Sequence, residues 1–274
     1  MTKKSKIFGI ILNCLLLIIG IITFIPFLWM LVSSFAPNST IVSLGNGLFP
    51  TPSTINNYLS IQEKFNFFRL FFNSLFIATL NTIIIIYSSA LIGFVFAKFD
   101  FKGKRLLFGV VMSTMMLPWA VTIIPKYEMM VNWGWLDSYK SLIIPSLASG
   151  FGIFLFRQSI STISDELLEA ARMDGANETY VFHRIILPMS RNTIASLAIF
   201  QFLWSWEDFL WPYLMINSQD KQLLSVGLRQ FNGQYGTDYG GLFAATSISI
   251  IPIVLVYLIF QKQFVQGIAS GSGK

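Results

Sequence analysis

The chain offers few residues for chemistry. Its 274 residues include one histidine, His183, and one cysteine, Cys14. Neither a metal-thiolate cluster nor an internal disulfide can be built from that stock. No Gly-x4-Gly-Lys-Ser/Thr stretch is present, which excludes nucleotide binding of that kind. Acidic side chains gather in two places. Asp165, Glu166, Glu169, Asp174 and Glu178, five of the thirteen, lie with His183 between Ser164 and Pro188. Glu207 and Asp208 close the segment Trp204-Ser205-Trp206-Glu207-Asp208. Rings beside carboxylates suit sugars, whose C–H faces stack while their hydroxyls donate hydrogen bonds. A tryptophan belt at a membrane surface with a structural ion pair is the plainer alternative.

Two short helices must position the first cluster. Ser164 fits a helix N-cap, with Asp165 and Glu166 in the first turn, where carboxylates favour the dipole. Leu167, Leu168 and Ala171 are spaced to share a face. Gly175 suits a left-handed stop, Asn177 a second cap, and Pro188 the end of a helix over Glu178–Leu187. Ala170 and Ala171 leave the surface of this knob shallow. The second cluster falls in an apolar run. Trp204, Asp208 and Trp211 recur at i, i+4 and i+7 and are expected on one face, with Glu207 on another. A carboxylate at the bilayer centre costs roughly 2.5–3.5 kcal/mol on insertion scales, so these two are expected to face a polar cavity, a cation or the outer interface.

The rest of the chain is apolar: 54% hydrophobic residues and only 12% charged, against about 25% charged in soluble domains. The sequence predicts an all-α integral membrane protein, a single transmembrane domain over 1–274 with six transmembrane helices near 10–32, 72–96, 106–126, 141–160, 192–216 and 241–261. A polar loop rich in turn formers, Gly45, Asn46, Gly47, Pro50 and Pro52 among them, precedes the second span. Residues 126–140 are expected as a short connection and Ser270–Lys274 as a flexible end. Arg157 is expected to snorkel from a helix end. Asn73, Ser74, Asn81, Ser88 and Ser89 fit hydrogen bonds across helix interfaces, with Asn81 the deepest and the best candidate to meet a solute. With six spans, thirteen Lys and Arg fall on one side and six on the other. Both termini and the loop 162–190 are therefore expected in the cytoplasm.

Glu169-Ala170-Ala171, Gly175 ten-odd residues ahead of Ile185-x-Leu187-Pro188, and Met173-Asp174-Gly175-Ala176 together resemble the EAA loop of ABC importer permeases. Asn73-Ser74-Leu75, Ile124-Pro125-x-Tyr127, Leu136-Asp137, Arg157-Gln158, Phe209-Leu210-Trp211-Pro212, Val226-Gly227-Leu228 and Gln263-Phe264-Val265-x-Gly267 extend the likeness. It narrows to carbohydrate importers of the maltose type, second permease subunit. One departure stands out: Glu207 sits where that family usually has an amide. The resemblance implies a cytoplasmic coupling helix between helices 4 and 5, with Glu169, Ala170, Ala171, Asp174 and Gly175 seated against an ATPase. It implies a homologous permease subunit, two ATP-binding subunits and an extracytoplasmic sugar-binding protein as partners, with membrane lipid around and no nucleic acid. ATP hydrolysis is expected in the separate subunits, and no cofactor in this chain. Asp208, Trp204, Trp211, Glu207 and Asn81 are the expected substrate pathway. The alternative is an ion-coupled secondary transporter using Glu207 and Asp208, which would leave the Ser164–Pro188 knob without a purpose.

Overall fold

The computed structural model describes residues 3–43, 53–233 and 236–271. The turn formers Gly45, Asn46, Gly47, Pro50 and Pro52 and the last three residues of the expected flexible end lie outside them. In chain order the helices are α1 Lys3–Ser33, α2 Asn38–Val42, α3 Asn56–Phe65, α4 Phe67–Lys98, α5 Lys104–Met116 and α6 Trp119–Asn132. There follow α7 Lys140–Ile143, α8 Gly150–Ser161, α9 Asp165–Met173, α10 Glu178–Val181, α11 Leu187–Met189, α12 Arg191–Glu207, α13 Leu210–Met215, α14 Leu224–Gly227 and α15 Tyr239–Gly271. A π-turn, Phe182–Ile186, joins α10 to α11, and two-residue strands pair antiparallel at Asn232–Gly233 and Gly236–Thr237. Apart from these two short strands, the regular structure of the described residues is helical, in keeping with the all-α expectation.

Four helical stretches among the described residues are long and apolar enough to cross a membrane: Gly9–Ser33, Phe67–Lys98, Lys140–Ser161 and Tyr239–Val265. At 1.5 Å per residue α4 alone is about 48 Å long, well beyond the roughly 30 Å hydrocarbon core. The expected third span, 106–126, is not one straight helix. α5 and α6 meet at a bend of 103°, and together they pass as a fifth span. Proline explains the bend: Pro118 has no N–H to donate and pushes Leu117 to φ −79°, ψ 121°, out of the helical region. Beyond it α6 continues to Asn132, so about half of the expected connection 126–140 is helix as well. The expected fifth span, 192–216, also breaks. α12 ends at Glu207, Asp208 is extended, and α13 restarts at Leu210.

The chain forms two compact units. In the unit of Met1–Phe67 and Leu228–Ile250, Asn57 Nδ2 donates to Ser34 O and Ala36 O, both at 2.8 Å, satisfying carbonyls past the end of α1. Asn38 Oδ1 accepts from Tyr239 N at 2.8 Å and so caps the start of α15. The apolar side chains of α1 from Ile10 to Leu28 remain exposed, a surface suited to lipid tails or another chain.

The unit of Phe68–Gly227 and Ile251–Lys274 holds two apolar cores. One joins Phe94 of α4, Phe156 and Ile160 of α8, Leu168 of α9, Phe182 and Ile186 of the π-turn, and Leu197 of α12. α4 and α8 touch backbone to backbone here. A Cβ on Gly93 would lie 2.9 Å from Arg157 N, and one on Gly152 2.4 Å from Ser89 Oγ. Small residues at membrane helix contacts permit that approach. Arg157 does not run free to an interface: its guanidinium carbon sits 4.1 Å from the centroid of the Phe108 ring. The second core, around Ile77, Met130, Leu142, Met215 and Leu223, lies near the other end of α4.

That second core is clasped by one carboxylate. Asp137, at φ +54°, accepts from Asn217 N at 3.1 Å, Ser218 N at 2.9 Å, Ser218 Oγ and Lys221 Nζ at 3.0 Å. Asn73 Nδ2 reaches the same segment at Asp220 O and Gln222 O, and Ser74 Oγ accepts from Leu224 N at 2.7 Å. The Ser218 donors and the Lys221 ammonium hold the Asp137 carboxyl well below the usual carboxylate range. A depressed folded-state pKa gives stabilisation that is present above the ordinary aspartate range and fades as pH falls through it. Replacing Asp137 with Ala should therefore cost about 2 kcal/mol at neutral pH, the scale of charged hydrogen bonds. The deficit against wild type should shrink below about pH 4. Thermal melts of the detergent-solubilised protein at pH 7 and pH 3 check this, and equal deficits at both would contradict it.

Candidate functional site

The polar knob is built as its residue types dictate. Ser164 Oγ accepts from Leu167 N at 3.3 Å to open α9, and Asn177 Oδ1 accepts from Tyr180 N at 2.8 Å to open α10. Between them Gly175 takes φ +87°, which a side chain would strain. Arg172 of α9 then donates to both oxygens of Glu178 in α10, Nε to Oε1 at 2.8 Å and Nη2 to Oε2 at 3.3 Å. This fork fixes the angle across the glycine and raises the Arg172 pKa.

Beneath the knob, Lys98 at the end of α4 is nearly buried. Its ammonium donates to Ile163 O and, at 2.7 Å, to Asp165 Oδ1. The Lys98 hydrogen bond and charge lower the pKa of the Asp165 carboxyl. In the sequence Lys98 is one of the thirteen cations of the side expected in the cytoplasm; its position two residues past the expected span 72–96 was the available signal. His183 is a structural residue. Its Nδ1 donates to Thr179 O at 2.8 Å, which leaves Nε2 to accept from Tyr87 Oη at 3.2 Å.

Some helix details differ from expectation. Leu168 is buried and Ala171 packs beside it, but Leu167, one position round the helix, stays exposed. Pro188 does not end the helix; the π-turn before it lets the coil run to Met189. A helix with i→i+5 bonding tolerates local loss of a regular donor. Glu169, Ala170, Met173, Asp174 and Tyr180 form the outer surface, with Met173 88% exposed. A shallow cavity of about 360 Å³ opens at Ala171, Asp174, Gly175 and Tyr180. Charged, apolar and small positions thus share one face that none of the described residues covers.

The second cluster forms a small polar chamber of about 160 Å³. Asn81, Gln201, Trp204, Ser205, Asp208 and Trp211 line it. Asn81 Nδ2 donates to Leu142 O at 3.2 Å, while its Oδ1 is buried with no partner among the described residues. Trp211 Nε1 donates to Ser141 O at 2.9 Å. Trp204, Asp208 and Trp211 therefore do come together, Trp204 and Asp208 by helical spacing but Trp211 from the next helix. The break at Asp208, where Trp211 N and Ser225 Oγ bond its side-chain and backbone oxygens, turns α13 back toward the chamber. Glu207 lies outside it and is exposed. Gln201 and Ser205 were missed, although Gln201, Trp204, Ser205 and Asp208 recur at i, i+3, i+4 and i+7. Asn73 and Ser74 serve packing, as expected.

A bundle of long apolar helices carrying an exposed capped knob and a polar chamber defines a membrane transport permease. Residues 89–270 match the family described as binding-protein-dependent transport system inner membrane component, and the chain belongs to that family. Relatives span it end to end. The arabinooligosaccharides transport system permease protein AraQ of Bacillus subtilis is 31% identical over 276 residues, covering 100% of this chain and 98% of that protein. The diacetylchitobiose uptake system permease protein NgcG of Streptomyces coelicolor is 31% identical, covering 98% and 90%. In fold, the chain matches a bacterial ABC transporter involved in the import of the polysaccharide alginate. The TM-score there is 0.82 at 22% identity, over 96% of this chain and 99% of that one. The chain is thus a subunit of a binding-protein-dependent importer, and the ion-coupled alternative has no support.

Proposed function

We propose that the chain forms half of the translocation pathway of an ATP-driven sugar importer. In this reading it pairs with a homologous permease, two ATP-binding subunits and an extracytoplasmic sugar-binding protein. Family membership and relatives named for oligosaccharide transport support it. The carrying observation is the knob: an exposed face of Glu169, Ala170, Ala171, Asp174 and Gly175 whose bend is fixed from within by the Arg172–Glu178 fork. Such a face is pre-formed for a cleft in an ATPase, where small side chains let the backbone approach and Glu169 meets a basic group. α9 is then the coupling helix. The six crossings are α1, α4, α5 with α6, α7 with α8, α12 with α13, and α15. Alternating access follows when ATP binding favours one of two pore states by differential affinity.

Three outcomes test this. Glu169→Lys and Gly175→Val should each abolish most transport and most co-purification of the ATPase while the chain still inserts in the membrane. Retention of both by both variants would falsify the assignment. Cysteines at Asn177 and Asn232 should label from opposite sides of intact cells, Asn177 from the cytoplasm; labelling of both from outside removes the six-crossing topology. Finally, the chamber residues Asn81, Trp204, Asp208 and Trp211, though not the exposed Glu207, line the pathway. Asp208→Asn should shift transport affinity or sugar selectivity with assembly intact. Failed assembly with unchanged transport by the remaining complex would make Asp208 purely structural.

A further inference from the structure

At the end of the bundle where α4 gives way to α5, an open cleft of about 1230 Å³ faces outward. Its lining is sorted by chemistry. Lys104, Arg105 and Arg157 supply three cations against the single carboxylate of Asp100. Lys104 already pairs with Asp100 at 3.0 Å. Neither Arg105 nor Arg157 has an acidic partner among the described residues. Arg157 lies within the Lys140–Ser161 span, and its Nε is buried without a hydrogen-bond partner. Its guanidinium rests on the Phe108 ring, a contact that brings no counter-charge, and a cation at the end of an apolar span favours an anion beside it. α5 adds to the same field. Gly103 precedes it with no side-chain cap, and the positive end of the helix dipole lies beside Lys104 and Arg105.

Past this charged end the cleft becomes apolar. Leu106, Gly109, Val110 and Ser113 recur at i, i+3, i+4 and i+7 along α5, and a Cβ at Gly109 would meet nothing within 4 Å. The missing side chain leaves a slot. From Lys104 to Ser113 the helix rises about 14 Å, nearly half the thickness of a bilayer core and close to the depth of one leaflet.

A cationic head with an apolar tail of leaflet length complements one kind of molecule. We propose that this cleft binds an anionic phospholipid of the surrounding bilayer. The headgroup phosphate sits among Arg105, Arg157 and the α5 N-terminus, and an acyl chain lies over Gly109 and Val110. The bound lipid supplies the counter-charge that the protein withholds from Arg157.

The test uses the full chain purified with its partner subunits into nanodiscs of phosphatidylcholine containing a minor fraction of phosphatidylglycerol. Native mass spectrometry after partial delipidation counts the lipid retained. The wild type should keep phosphatidylglycerol in preference to phosphatidylcholine, and added inorganic phosphate should not displace it. Arg105→Gln and Arg157→Gln should each weaken retention roughly fivefold, the scale of one basic residue at an anionic surface. Gly109→Leu fills the slot at unchanged charge and in open space, so it should lower retention without disturbing the fold. Equal retention by the wild type, Arg105→Gln and Gly109→Leu overturns the proposal. So does displacement by free phosphate, which would mark a bare anion site. Absence of phosphatidylglycerol from the assembled complex when the isolated chain retains it would assign the cleft to a protein neighbour instead.

Discussion

The ammonium of Lys98 is the contact on which the rest of the larger unit depends. It ends the longest packed helix of that unit, α4, and is only 5% exposed. A buried cation is tolerable only if it is paired and hydrogen-bonded, and here it finds both a carbonyl at Ile163 and a carboxylate at Asp165. Those two acceptors sit on either side of Ser164, the cap from which α9 starts. One side chain therefore fixes where the membrane helix stops and where the exposed knob begins. The core immediately behind, Phe94, Phe156, Leu168 and Phe182, holds the same elements together without charge. The knob and α4 are thus joined by a polar contact and an apolar one, and a displacement of either must disturb both.

Close helix contact does comparable work deeper in the same unit. Without a hydrophobic force between helices in lipid, association rests on van der Waals packing and hydrogen bonds. The Gly93 and Gly152 contacts bring α4 and α8 together closely enough for that packing to count. The polar side chains of α4 then serve where they can reach partners: Asn73 and Ser74 toward the 220–224 segment, Asn81 toward Leu142. Of these three, Asn81 keeps a buried oxygen with no partner among the described residues, and it is also the one that lines the chamber.

What could be read from the sequence followed from local rules. Ser164, Gly175 and Asn177 have the roles their side chains favour, because capping and positive φ are decided within a few residues. Apolar length gave α1, α4 and α15 for the same reason. Reading failed where tertiary contacts overrule a run of apolar residues. In the stretch 192–216 the signal was Pro212, whose ring denies the Asp208 carbonyl its helical donor; only the fold shows Ser225 Oγ and Trp211 N supplying the Asp208 oxygens instead. Pro118 was visible, but a missing N–H marks where the helix bends and not that the bend reaches 103°. Lys98 was hidden because a charge at a span's end normally means solvent, and only the fold shows it covered.

The π-turn at Phe182–Ile186 carries a consequence for how this sequence can vary. A single wide turn accommodates one more residue than a regular coil, so it works as a phase adjuster between the knob and α12. Each residue in a helix advances the side-chain direction by about 100°. The wide turn already absorbs one residue, so a further insertion here would turn every side chain from Arg191 onward by about 100° relative to α10. Leu197 would leave the core it shares with Phe156, and Gln201, Trp204 and Ser205 would rotate away from the chamber. The segment between Val181 and Leu187 should therefore accept changes of residue type far more readily than changes of length.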